Sequence, residues 1–328
     1  MRLDVEKIFI TPRSFRKIDG PHRQVLIDAG YEIVESPAEG PLEAAELARL
    51  VPDVVGVILG LDEFTAEVFD RAGRLKVVSR FGVGVDKVDL KAATAHGVVV
   101  TNTPGANTVA VAELTIALIL ALARRLPYHD RLVREGRWTP VSGFELCGSA
   151  LGLIGMGNIG RGVAKRAVGF GARILYHDPV APPQELLTSL EARYCELDDL
   201  LSESDIISLH LPLLDETRNL IDGRALGRMK PTALLINTSR GGLVDEQALV
   251  EVLMQGRLAG AACDAFAQEP PGDNPLLRLD NFIATPHIGS ATRQTSLRMG
   301  LMAAENALAV LRSERPTHVV NPEVYSLL

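Results

Sequence analysis

Short runs of aliphatic and β-branched residues alternate with amphipathic stretches over nearly the whole chain. Strands covered by helices on both faces have no polar side to show, so this pattern predicts parallel α/β sheets. In the first third the runs predict strands at residues 7–11, 32–35, 54–59, 76–79 and 98–102, with helical stretches such as 42–50 and 65–72 between them. Thr103-Pro104-Gly105 breaks the series, and a long apolar helix over 108–124 follows. A second series predicts strands at 151–155, 173–178, 206–211, 234–237, 260–264 and 282–285. The last helix, 291–312, places Leu297, Leu301, Ala304, Leu308 and Leu311 on one stripe. It is expected to cross back and complete the first domain. The expected fold class is therefore α/β with two doubly wound parallel-sheet domains, a Rossmann domain (104–291) inserted into a flavodoxin-like domain (1–103 and 292–328).

Composition narrows the picture. The 328 residues are 47% hydrophobic and 23% charged, which excludes wholesale disorder and suits two domains. A net charge of −7 without a basic block leaves no electrostatic footprint for nucleic acid. Cys147, Cys195 and Cys263 are widely separated, so neither a disulfide framework nor a thiolate metal site is expected, and a reducing, cytoplasmic setting is. The start, MRLDVEKIFIT, is too charged to read as a signal peptide. The longest apolar run, 109–123, is interrupted by Glu113 and falls short of a bilayer span, so no membrane partner is expected.

Gly155-Met156-Gly157-Asn158-Ile159-Gly160 follows an apolar run and opens a helical stretch. In that context Gly155 permits the tight turn, Gly157 lets backbone approach a pyrophosphate, and Gly160 allows close helix–strand packing. Asp178 ends the next predicted strand, 23 residues past Gly155, where a carboxylate accepts the ribose hydroxyls of a dinucleotide. A carboxylate there would repel a 2′-phosphate, so NAD is the expected cofactor rather than NADP. A turn-capping role for Asp178, which precedes Pro179, is the bland alternative.

Ligands of doubly wound sheets bind beyond the carboxyl ends of the strands, and that rule filters the polar residues. Thr238, Ser239 and Arg240 end one predicted strand, Asp264 ends the next with Glu269 on the loop behind it, and His287 follows the last. Hydride transfer to a 2-oxo acid needs a proton for the carbonyl oxygen and a cation for the carboxylate. His287 with Glu269 beside it suits the first need, and the guanidinium of Arg240 the second. Each residue alone has an ordinary reading: a surface histidine, a solvated loop carboxylate, a phosphate contact or a surface ion pair. His177 is a further histidine near the glycine loop, but on the adenosine side.

These residues resemble the NAD-dependent D-2-hydroxyacid dehydrogenases, most closely the D-3-phosphoglycerate dehydrogenase branch. The likeness rests on Arg80-Phe81-Gly82-Val83-Gly84-Val85-Asp86 and on segments 107–124, 151–160, 236–245, 264–270 and 285–290. The resemblance implies a catalytic trio of Arg240, Glu269 and His287. It implies an NAD site lined by Gly155, Gly157, Asn158, Ile159, Gly160, Asp178, Leu211, Pro212, Thr217, Thr238, Ser239, Asp264, Gly289 and Ser290, with Asp264 near the nicotinamide carboxamide. It further implies a substrate site of Arg80, Gly82, Val83, Gly84 and Arg240, with Arg80 helping to hold a phosphate, and a homodimer formed through the 107–124 region. Phosphoglycerate enzymes commonly place an Arg near Leu59, whereas here the loop reads Ile58-Leu59-Gly60-Leu61-Asp62. The regulatory domains of longer relatives are not expected. Phosphoglycerate is the first substrate choice and an unphosphorylated 2-hydroxy acid of the glyoxylate, hydroxypyruvate or lactate type the second. A non-catalytic NAD-sensing scaffold is a third reading. A formate dehydrogenase is disfavoured, because that branch carries Gln where Glu269 stands.

Overall fold

The computed structural model describes residues 5–327, so the first four residues of the N-terminal segment read above lie outside it. The chain divides into two compact units, Met1–Asn107 with Ser290–Leu328, and Thr108–Gly289.

The first unit holds a five-stranded sheet of β1 (Lys7–Ile10), β2 (Glu32–Glu35), β3 (Val54–Leu59), β4 (Val77–Arg80) and β5 (Val99–Thr101), in the order β2-β1-β3-β4-β5. All its pairings are parallel, and the order is that of flavodoxin-like sheets. Alternate residues face opposite cores. In β1, Phe9 joins the cluster with Val57, Leu59 and Phe69, while Ile8 and Ile10 join Ile58, Val77 and the last helix. Burial on both faces is why inner strands such as β1 and β3 read as continuous apolar runs.

That last helix, Arg293–Leu311, packs on the first unit's sheet, and Ser79 Oγ donates to the Ala303 carbonyl at 2.8 Å. Its buried stripe overlaps the stripe expected from the sequence only at Ala304 and Leu308. Met299, Gly300, Ala303, Ala304, Ala307 and Leu308 are buried, whereas Leu297, Leu301 and Leu311 are only partly so. Small residues win the inner face because they admit close neighbours: a Cβ on Gly300 would lie 3.0 Å from the buried His22 ring.

The second unit holds β6 (Ala150–Ile154), β7 (Arg173–His177), β8 (Arg193–Tyr194), β9 (Ile206–Leu209), β10 (Leu234–Asn237), β11 (Gly260–Cys263) and β12 (Phe282–Ala284). They form one parallel sheet ordered β12-β11-β10-β9-β6-β7-β8. This is the Rossmann arrangement with one more strand at the end. The order reverses between β6 and β9, and a crevice opens there at the carboxyl edge. The sequence predicts six strands here and misses β8, two exposed edge residues without an apolar run. The long helix Thr108–Ala123 covers one face of this sheet, and its apolar residues pack with Leu151, Leu153, Ile206 and Ile236. No helix among the described residues is long and apolar enough to cross a membrane.

Candidate active site

The glycine loop of the second unit shows why each glycine stands where it does. Gly155 has φ +97°, and a Cβ there would meet the His210 carbonyl oxygen at 2.5 Å. Gly160 lies against the Gly155 carbonyl, where a Cβ would approach to 2.2 Å. At Gly157, by contrast, a Cβ would meet nothing within 4 Å, so the backbone presents an open cradle. Gly157 also caps the helix Asn158–Val168 without a side-chain hydrogen bond, leaving its first amides to face an anion. Asp178, just past β7, accepts the Met156 N–H at 2.6 Å and the Val180 N–H at 2.8 Å. A carboxylate has about four acceptor sites, so Asp178 braces the loop and keeps capacity for ribose hydroxyls. The open cradle, the uncapped amides and the spare acceptor fit a dinucleotide. Asn158 is exposed at the helix start and Ile159 half-buried behind it.

The loops beyond β9 and β10 are closed by their own side chains. Thr217 Oγ1 donates to the Pro212 carbonyl at 2.8 Å, shaping the turn that carries Leu211 and Pro212. Thr238 Oγ1 pairs with Thr115 Oγ1 of the long helix at 2.9 Å, and Ser239 Oγ donates to the Leu209 carbonyl at 2.7 Å. Asn237 Nδ2 donates to the Arg240 carbonyl at 2.7 Å, and Arg240 Nη1 to the Ser239 carbonyl at 2.8 Å. Arg240 is thus held by a turn that hydrogen-bonds to itself.

Asp264 ends β11 and is buried, 2% exposed. Its Oδ1 accepts Thr285 Oγ1 at 2.6 Å and the Ile288 N–H at 2.8 Å, and its Oδ2 accepts the Gly289 N–H at 2.7 Å. The Asp264 carbonyl accepts the His287 N–H at 2.9 Å. One aspartate therefore ties down the turn on which His287 sits at φ +53°, a left-handed conformation that needs such support. Burial pushes the Asp264 carboxyl above the usual range, against the hydrogen bonds from Thr285, Ile288 and Gly289 and the charge of His287. The sequence reading gives Asp264 to the cofactor; its support of the histidine turn is what that reading misses.

His287 Nδ1 lies 3.0 Å from both carboxylate oxygens of Glu269, with the two side chains 24% and 28% exposed. The Phe266 N–H also donates to Glu269 Oε1, at 3.1 Å. Burial disfavours the Glu269 carboxylate, but the His287 hydrogen bond and charge, the Phe266 amide and the Arg240 charge outweigh it. They hold the carboxyl below the usual range. An ionised carboxylate on Nδ1 orients the ring and leaves Nε2 for a substrate.

Glu246, which the sequence gives no reason to single out, reaches the same loop, as does Gly241. Glu246 Oε1 accepts the Ala267 N–H at 2.6 Å, and Gly241 packs directly on the Phe266–Ala267 peptide.

In the first unit, Arg80 is 8% exposed and turns inward. Its Nε donates to the Gly84 carbonyl at 3.0 Å and its Nη1 to the carbonyls of Leu59, at 3.3 Å, and Phe81. The Gly82 N–H donates to the Arg80 carbonyl at 2.9 Å, the Gly82 carbonyl accepts from Thr103, and the Val83 carbonyl accepts from Asn102. The 82–84 loop is thereby pinned through its carbonyls. Asp62 is buried and accepts the Leu42 and Gly60 N–H groups and the Thr11 hydroxyl. Ser290 belongs to this unit and accepts the Thr292 N–H at 2.8 Å.

Residues 116–289 match the family described as D-isomer specific 2-hydroxyacid dehydrogenase, NAD binding domain. A glyoxylate reductase of Korarchaeum cryptofilum is 43% identical, over 95% of this chain and 97% of its own. A D-3-phosphoglycerate dehydrogenase of Methanocaldococcus jannaschii is 41% identical over 93% of this chain, which spans 59% of that protein. Among solved structures, a D-lactate dehydrogenase from Aquifex aeolicus complexed with NAD and lactic acid superposes with a TM-score of 0.85. It shares 29% identity over 96% of this chain and 99% of its own. With the open Gly157 cradle and the Asp178 brace, these likenesses make the chain a member of the D-isomer specific 2-hydroxyacid dehydrogenases, enzymes that work with NAD.

Proposed function

We propose that the protein interconverts a small, unphosphorylated 2-oxo acid of the glyoxylate or hydroxypyruvate type with its 2-hydroxy acid, using Arg240, Glu269 and His287. When bound, the nicotinamide cofactor supplies the hydride to the substrate's C2, or takes it back. His287 gives its Nε2 proton to the carbonyl oxygen as the hydroxyl forms, and the neighbouring Glu269 carboxylate compensates the imidazolium before transfer. Arg240 holds the substrate carboxylate and polarises the carbonyl. Asp178 selects NAD by accepting the ribose hydroxyls.

The observation that carries the substrate class is that Arg80 already donates to the Gly84 and Phe81 carbonyls of its own loop and to the Leu59 carbonyl at the end of β3. With Leu59 in place of an Arg and a buried carboxylate at Asp62, the loop after β3 is poorly equipped for a phosphate dianion. On this reading the unphosphorylated acid moves ahead of phosphoglycerate, the first choice from the sequence. The full-length Korarchaeum relative, named a glyoxylate reductase, supports the same side. NADH oxidation with glyoxylate, hydroxypyruvate and 3-phosphohydroxypyruvate tests the reading. The expected kcat/KM is at least about tenfold higher for an unphosphorylated acid. A preference for the phosphorylated one would overturn it, and NADH binding without turnover would favour the scaffold reading.

A homodimer belongs to the same reading. On the second unit Val109, Leu126 and Val133 are exposed and Trp138 is 87% exposed, apolar surface of the kind that a partner covers. Sedimentation should give twice the chain mass; a monomer at micromolar concentration would count against it.

A further inference from the structure

We infer that Glu246 is a positioning residue for Glu269, fixing the loop from which that carboxylate meets His287. The inference rests on the catalytic reading of Glu269 and His287 above.

Glu246 opens the helix Glu246–Met254, but its carboxylate is not used to cap that helix. Asp245 does so, accepting the Ala248 N–H at 3.0 Å. The Glu246 carboxylate instead spans the neighbouring loop. Its Oε1 accepts the Ala267 N–H and its Oε2 accepts Asn274 Nδ2, both at 2.6 Å. The Asn274 amide is oriented independently, because its Oδ1 accepts the Leu276 N–H at 3.0 Å, so its donor end faces Glu246. Glu269 lies between these two anchor points in the chain.

The Phe266–Ala267 peptide is the junction. Successive amides donate to different carboxylates, Phe266 to Glu269 and Ala267 to Glu246. Gly241, next to Arg240, packs against the same peptide: a Cβ there would lie 1.9 Å from the Phe266 carbonyl carbon and 2.1 Å from the Ala267 nitrogen. The turn bearing Arg240 thus packs on the Phe266–Ala267 peptide of the loop bearing Glu269, and Glu246 holds the same peptide through its N–H. Release of that anchor lets the Glu269 carboxylate drift from His287, and a shift of about 1 Å in a catalytic group can cost ~10²-fold in rate.

The test is a double-mutant cycle in the full-length protein, with kcat, KM and NADH affinity measured for Glu246→Ala, Glu246→Gln, Glu269→Gln and the double variant Glu246→Ala/Glu269→Gln. Glu246→Ala should lower kcat by roughly 10- to 100-fold with NADH affinity changed less than about twofold. Glu246→Gln should recover only part of that loss, since its Oε1 still accepts the Ala267 N–H while its Nε2 faces the Asn274 donor. In the Glu269→Gln background, Glu246→Ala should cost less than about twofold further, because the carboxylate it positions is gone. Equal losses in both backgrounds, or a loss confined to NADH binding, would overturn the positioning role while leaving the catalytic reading intact. Full activity in Glu269→Gln alone would instead overturn the catalytic reading, and the positioning role with it.

Discussion

Asp178 and Asp264 occupy matching places, each directly after a parallel strand of the second unit's sheet, yet they spend their carboxylates differently. Asp178 accepts two amides, one from the glycine loop, and stays half-buried. Asp264 is buried and accepts a hydroxyl and two amides, all from the turn that carries His287. The first is a brace with capacity left for a ligand; the second is drawn into its own scaffold. An acidic residue at a strand end therefore identifies the functional edge of such a sheet, but its role follows from the hydrogen bonds already made.

The comparison can be broken by exchanging the two behaviours. Asp264→Asn keeps the shape but turns an acceptor into a donor facing donors. Leaving a buried amide unsatisfied costs about 1–3 kcal/mol. The expected result is a lower melting temperature and a fall in kcat of roughly 10- to 100-fold as the His287 turn loosens. Asp178→Ala should leave kcat at saturating cofactor nearly unchanged and weaken NADH by about tenfold, as expected for a lost charge-assisted hydrogen bond. It should also narrow the preference for NADH over NADPH. Unchanged cofactor preference, read by fluorescence titration, would count against Asp178 as a ribose acceptor.

The smallest effect is on acid stability. The Glu269 carboxyl lies below its usual range in the folded protein, so its charge stabilises the fold above the unfolded pKa. That contribution is lost as pH falls through the lower folded value, in the region of about pH 4 and below. Asp264 has the opposite sign: its raised pKa makes the folded state bind a proton more readily, so acidification relieves a cost there. Denaturant titrations should show Glu269→Gln less sensitive than wild type to a fall from about pH 6 to ~3.5, and Asp264→Asn more sensitive than wild type. Parallel pH profiles for all three would contradict both directions.

The fold was legible wherever burial leaves a mark in the residue pattern. Strands such as Val54–Leu59 and Leu234–Asn237, covered on both faces, announce themselves as apolar runs. Strand Arg193–Tyr194 does not, since an exposed two-residue edge has nothing to bury. The face of the last helix was misplaced because leucine periodicity cannot show that glycine and alanine allow the closest approach. In the candidate site, the tight turn at Gly155 could be read because it depends on local spacing. Glu246 and Gly241 could not, because each acts on a peptide some twenty residues or more away in the chain. Nor does sequence reveal what a guanidinium already holds, and Arg80 holds its own loop and the end of β3.

The central claim is that His287, oriented by Glu269, carries the proton while the glycine loop and Asp178 carry the cofactor. Measuring kcat and NADH affinity together for His287→Ala tests it most directly. The account predicts a fall in kcat of about 10²- to 10⁴-fold, the usual worth of a general acid, with NADH affinity changed by less than about twofold. Turnover close to that of the wild type, or a loss explained by weakened NADH binding, would contradict it.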